Sequence, residues 1–290
     1  MNRPLWLLLG TGVALGLNFP LGKLAVAGGV TPALWAAWIC LAAGLSLALI
    51  TILSEARPSS PKGLWRFSFI SGFVSFVMPN LLTYTVIPKI GSGLAGMMFA
   101  LSPLVTAILS WVMGVRPPSR WGFVGIGLGL VGVGVIIFAK DPNAASGISL
   151  WLVLALAIPL FLGLGNVYRT HAWPKGASPR LLAGLTNLAA VPFLLVIGLI
   201  INGKTDFVPL LALPWLMLLQ LIVSTLMFLM FFRLQQIGGP TYLSQIGYVA
   251  AAVGLVVGVF YFGEVYPLAV WIGAGIVAIG IAISTLAQRS

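Results

Sequence analysis

The sequence predicts an all-α integral membrane protein of ten transmembrane helices, arranged as two inverted five-helix repeats. Three observations carry that expectation. The composition cannot cover a water-exposed surface, ten apolar runs have spanning length, and the chain partly matches itself at an offset of about 147 residues.

Hydrophobic residues make up 60% of the 290 positions and charged residues 7%. A soluble domain carries roughly a quarter charged residues, so lipid must cover most of this surface. The net charge of +11 would suit a nucleic-acid partner. The basic residues form no stripe, however, and stand singly or in small groups between apolar runs, where a membrane protein needs them. The expected partner is therefore the bilayer, with no nucleic acid. Cys40 is the one cysteine and His171 the one histidine. Neither a disulfide nor a metal site is expected from them, and no cofactor is expected.

A helix needs about 20 apolar residues to cross the hydrocarbon core. Runs of that kind occupy 5–24, 32–53, 64–87, 92–115, 121–139, 148–169, 181–201, 210–234, 241–262 and 268–286. They are continuous rather than alternating, which excludes β-barrel strands. Turn chemistry separates them at 58–61, Pro117-Pro118, Asp141-Pro142-Asn143 and Asn202-Gly203. The first run follows Arg3 and precedes Ala25-Val26-Ala27, as in a cleaved signal peptide. Asn18 and Pro20 interrupt it, and it has an internal copy, so it is read as a span.

With the N-terminus inside, the inner segments hold Arg3, Arg57, Lys62, Arg66, Arg116, Arg120, Arg169, Lys175, Arg180, Arg233 and Arg289. The outer segments hold only Lys23, Lys89, Lys140 and Lys204. That asymmetry predicts both termini in the cytoplasm, for a multi-pass protein expected in a bacterial inner (plasma) membrane.

In the self-match, Thr31-Pro32 falls on Ser178-Pro179, Leu41-Ala42-Ala43 on Leu188-Ala189-Ala190, and Ile90-Gly91 on Ile237-Gly238. Gly114 falls on Gly263, and Asn18 on Asn166. The repeats are thus 1–145 and 146–290. Five spans is an odd number, so the second copy enters from the opposite side. Inverted repeats of this kind are associated with alternating-access transport, with a substrate held near the midplane between the repeats.

Gly16-Leu17-Asn18, Gly165-Asn166, Gly263-Glu264 and the glycine-spaced fifth and tenth helices give the whole chain a resemblance to a known family. It resembles the EamA branch of the drug/metabolite transporter superfamily, and within it bacterial exporters of aromatic and neutral amino acids. Two features depart from that pattern. Val115 follows Gly114 where the family often has Glu, and Trp38 and Cys40 stand in a stretch of the second helix that is often basic. The resemblance implies a transporter rather than an enzyme.

Residues 198–205 satisfy the P-loop pattern literally. A P-loop needs a strand before it and a helix at its Lys-Thr; an apolar helix precedes this one, so it reads as a polar turn. Gly125, Gly127, Gly129, Gly132 and Gly134, with Gly273, Gly275 and Gly280, read as close-packing scaffold. Prolines 20, 79, 103, 159 and 192 interrupt spans, and Pro79, between Met78 and Asn80, is expected to bend a cavity wall.

Polar side chains in mid-span are costly in lipid and face inward. Here they include Asn18, Asn80, Tyr84, Asn166, Asn187, Gln220, Ser224, Gln245 and Tyr248. For Asn18 and Asn166, interhelical hydrogen bonding is the stronger reading. The substrate-binding set is Met78, Asn80, Tyr84, Met98, Phe99, Gln245 and Tyr248, a lining of amides, hydroxyls, rings and thioethers with no fixed charge. The spans carry no Asp or Glu, so neither a proton relay nor a catalytic acid–base pair is expected. Together these features suit export of small zwitterionic metabolites, amino acids first, by alternating access without ATP. Transport of sugar derivatives or quaternary amines, and lipid flipping, are the alternatives.

Overall fold

The computed structural model describes residues 3–54, 62–113, 120–140 and 150–287, and every structural statement below concerns these. The expected turns at 58–61, Pro117-Pro118 and Asp141-Pro142-Asn143 lie outside them, as does Gly114-Val115.

Seven described helices are long and apolar enough to cross a membrane, and shorter apolar helices accompany them. In chain order they are α1 (Arg3–Ala27), α2 (Pro32–Ser54), α3 (Leu64–Ile90), α4 (Ser92–Val112), α5 (Arg120–Lys140), α6 (Leu150–His171), α7 (Pro179–Asn202), α8 (Pro214–Ser244), α9 (Ile246–Phe260) and α10 (Leu268–Ala287). A single turn, Val208–Leu211, precedes α8. Helix is the form in which a spanning segment satisfies its own backbone hydrogen bonds without water. Exposed apolar side chains such as Leu53, Ile200 and Phe260 cover the outside of the bundle, as a lipid-facing surface requires.

Three interior helices are broken, each for an identifiable reason. In α3 the backbone passes through a π-helical stretch, Phe73–Val77, just before Pro79. Proline lacks an N–H and crowds the preceding turn, and the wider stretch absorbs that conflict. In α4, Ala100 and Leu101 donate back three residues, to Met97 (3.1 Å) and Met98 (3.2 Å), before Pro103 restarts the helix. Gly247 packs against the Phe99 carbonyl so closely that a Cβ there would overlap it. In α8, Gly239 leaves helical geometry (φ 67°, ψ −174°) ahead of Pro240. The ninth apolar run therefore starts as the bent tail of α8 and continues as α9 beyond Gln245, where the sequence suggested one uninterrupted helix from 241.

Packing places α5 against α10, α2 against α7, α4 against α9, α1 against α8 and α9, and α6 against α3 and α4. Along the α5–α10 contact, a Cβ on Gly132 would sit 2.7 Å from the Gly273 carbonyl oxygen, and one on Gly280 would sit 2.6 Å from that of Gly125. Backbone meets backbone there, the scaffold role expected of Gly125, Gly132, Gly273 and Gly280, whereas Gly127, Gly134 and Gly275 have no neighbour where a Cβ would sit and Gly129 meets the Leu104 side chain. The P-loop look-alike is the end of α7: Asn202 closes the helix and Gly203 caps it in the left-handed region (φ 70°).

Candidate functional site

The centre of the bundle holds a cavity of about 60 Å³, room enough for water. Its walls come from α1, α3, α4, α6, α8 and α9. Most of the lining is apolar, with Leu15, Phe99, Leu162, Phe228 and Phe231 prominent. The π-helical stretch of α3 supplies Ser75 and Phe76, and the turn after it supplies Asn80.

One charged side chain lines this cavity: Arg169, which is 1% exposed. Its Nε donates to Gln235 Oε1 (3.1 Å) and its Nη2 to Asn166 Oδ1 (2.6 Å). The guanidinium lies over the rings of Phe231 (4.9 Å) and Phe76 (5.9 Å), a placement that stabilises a desolvated cation. Gln235 also donates to Thr170 Oγ1 (3.0 Å). Arg169 is thus no loop cation, and the expected cavity without fixed charge does not hold. With Arg169 removed, ten basic residues remain in the segments expected inside, against four in those expected outside.

Gln235 reaches further. It lines a vestibule of about 670 Å³ with Trp173, Ser178, Arg233 and Gln236. The Arg169–Gln235 hydrogen bond therefore stands between the cavity and this vestibule.

The opposite end of the bundle is drawn together by Glu264, in the segment between α9 and α10. Lys23 Nζ on α1 lies 2.5 Å from Glu264 Oε1 and 4.2 Å from the centre of the Phe262 ring. The carboxylate also accepts from Ser92 N (2.8 Å), Ser92 Oγ (2.9 Å) and Gly93 N (3.1 Å), at the free amides where α4 begins. Tyr266 donates its hydroxyl to the other oxygen. Burial by itself raises the Glu264 pKa, yet the hydrogen bonds from Lys23, Tyr266, Ser92 and Gly93 outweigh it and hold the carboxyl down to about 2. Burial, then the hydrogen bond to Glu264 and its charge, pushes the Tyr266 phenol up.

The duplicated asparagines bridge helices, as expected. Gln220 on α8 donates to Asn18 Oδ1 (2.6 Å), and Asn166 Nδ2 reaches Thr106 Oγ1 (3.3 Å) and Ser102 Oγ (3.5 Å) on α4.

A profile of the EamA-like transporter family matches residues 2–138 and, a second time, residues 149–286. The chain belongs to the EamA-like transporter family. This EamA-like transporter is accordingly a multi-pass membrane protein with a small-molecule substrate. A crystal structure of a protein is similar over 100% of both chains, with a TM-score of 0.67 and 18% identity, a likeness of fold alone. No curated protein matches the chain in sequence.

Within this EamA-like transporter, Asn80 and Phe99 of the expected binding set line the cavity. Phe99 packs on Phe19, with ring centres 4.9 Å apart. Met98 and Tyr84 are buried in helix contacts, Tyr84 against Gly22 of α1. Met78, Gln245 and Tyr248 are half-buried and do not contribute to the cavity wall. Ser75, Ser102, Arg169 and the phenylalanines of α8 were not anticipated. One signal for Arg169 is in the sequence: Asn166, Arg169 and Thr170 share a helix face at i, i+3 and i+4.

Proposed function

We propose that this EamA-like transporter exports small zwitterionic metabolites, amino acids among them, by alternating access and without ATP. The observation that carries the reading is a central cavity between a clamp at the Glu264 end and a vestibule at the other, with the Arg169–Gln235 contact between cavity and vestibule. The vestibule side also gathers Arg180 and Arg233, which supports a cytoplasmic placement by the excess of basic residues there. On this reading the state described is the inward-facing one, and the Lys23–Glu264 clamp closes the outer side.

Several features support two inverted five-helix repeats, 1–145 and 146–290, as the machinery. The family profile matches twice. Positive-φ glycines recur at Gly29 (88°) and Gly176 (81°), and at Gly91 (88°) and Gly239 (67°). The second pair puts Gly239, rather than Gly238, in register with Gly91. The contacts of α1 with α8 and α9 have their counterparts in those of α6 with α3 and α4, as a two-fold axis in the membrane plane requires.

The test is solute equilibration into liposomes holding the purified protein, with no ATP and no ion gradient, over neutral amino acids, sugars and quaternary amines. Neutral amino acids should equilibrate and compete with one another. Carriage of a quaternary ammonium compound or a sugar phosphate, with neutral amino acids neither entering nor competing, would overturn the substrate class.

A further inference from the structure

We propose that Arg169 and Ser75 form a docking point for the carboxylate of the carried solute, so that this carrier selects molecules with one carboxylate and an apolar body. The inference rests on the transport reading and adds the chemical group that is recognised.

Arg169 has three nitrogens and spends two of them on Gln235 and Asn166. Its Nη1 is buried and has no hydrogen-bond partner. Ser75 Oγ, from the π-helical stretch of α3, is buried and unpartnered as well. The two converge on the bare face of Gly165. A Cβ there would lie 3.1 Å from Arg169 Nη1 and would overlap Ser75 Oγ. Two unused donors on facing helices thus stand side by side against Gly165, on two residues that line the cavity, and are covered in the state described.

The charge balance points to what fills it. Among the described residues the recorded ion pair is Lys23–Glu264, and no acidic side chain lines the cavity. A buried cation without a counter-ion is costly, and an anion from solution removes that cost. A carboxylate matches the donor geometry of a guanidinium edge plus a hydroxyl. A phosphate dianion would bring two charges to a single cation between phenylalanine rings. Those rings, Phe76, Phe228 and Phe231, fit an apolar body instead. Gln235 stands between Arg169 and the vestibule, so a solute entering from that side meets Gln235 first and the guanidinium behind it. A purely structural Arg169 would tie α6 to α8 and show no preference for carboxylates.

The test is a binding titration on the purified full-length protein at neutral pH, read by tryptophan fluorescence. Two matched pairs serve as probes: L-leucine with L-leucinamide, and 4-methylpentanoate with 4-methylpentanamide. In at least one pair the carboxylate should bind roughly tenfold or more tighter than its amide, the scale of a charge-assisted hydrogen bond. Ser75→Ala should narrow that preference, Arg169→Lys should retain part of it, and Arg169→Gln should erase it. If Arg169→Gln fails to fold, Ser75→Ala and Arg169→Lys decide. Equal binding of both members in both pairs, including no measurable binding, overturns the proposal, as does a preference untouched by Ser75→Ala and Arg169→Lys together. The two readings fail separately. A carboxylate that binds but never crosses liposomes defeats transport and leaves the site standing. Leucine and leucinamide crossing alike defeats the site and leaves transport standing.

Discussion

Arg169 Nη2 lies 2.6 Å from Asn166 Oδ1, one helical turn back on α6, so the asparagine that bonds α6 to α4 also fixes the cavity's cation. Asn18, its counterpart by the internal self-match, holds α1 to α8 with no arginine one turn on. The two halves thus share their helix-bonding groups and differ in their charge. Replacing Asn166 with Leu should therefore do more than loosen packing. It should misorient Arg169 and weaken solute binding, whereas Asn18→Leu should lower stability with little change in apparent affinity. Thermal melting and transport kinetics on the two variants check this.

The Asn18–Gln220 contact can be measured by itself. A double-mutant cycle with Asn18→Leu and Gln220→Leu, read by reversible unfolding in detergent, should give a coupling of about 0.6–1.7 kcal/mol, as for interhelical hydrogen bonds in membrane proteins. Additive effects would mean the bond contributes nothing.

The Glu264 clamp sets a pH expectation. Its carboxyl titrates near 2, below the ordinary 4.5, so its contribution to closure is complete above 4.5 and is lost as pH falls towards 2. Between pH 6 and 8 the clamp should be insensitive to pH. Glu264→Gln removes the charge at every pH. It should speed labelling of a cysteine placed at Asn80, in a Cys40→Ala background, by an impermeant thiol reagent added from outside.

Much of the helical layout is legible in the sequence because spanning length and internal hydrogen bonding leave a lipid-embedded chain few choices. The glycine stripes are legible for a related reason: Gly132 and Gly280 recur where only backbone contact fits. The cavity is less legible. Tyr84 and Met98 are polar or soft residues in mid-span, yet helix contacts absorb them, and periodicity cannot tell a wall facing a neighbour from a wall facing a void. Arg169 was hidden by its position two residues from the end of α6, where loop cations gather. Its burial comes from Phe231 and Gln235 on α8, far away in sequence. The break at Gln245 is hidden inside an unbroken apolar run, because hydropathy does not register backbone bends, whereas Gly239 falls between the eighth and ninth runs and the helix continues past it.

Asn80 lines the cavity while Gln245 and Tyr248 do not contribute to its wall. Asn80→Ala should raise the half-saturating solute concentration a few-fold to tenfold, the effect of losing one hydrogen bond of about 0.5–1.5 kcal/mol. Gln245→Ala and Tyr248→Phe should have smaller effects on the same measure.

The account's central claim is that this chain carries small zwitterions by alternating access without an energy source, and counterflow tests it most directly. Liposomes holding the purified protein are loaded with unlabelled L-leucine and diluted into trace labelled L-leucine, with no ATP, no pH gradient and no voltage. The account predicts a transient accumulation of label above its equilibrium level, driven by exchange through one alternating site. Uptake no different from protein-free liposomes, with the protein shown to be folded, would contradict it.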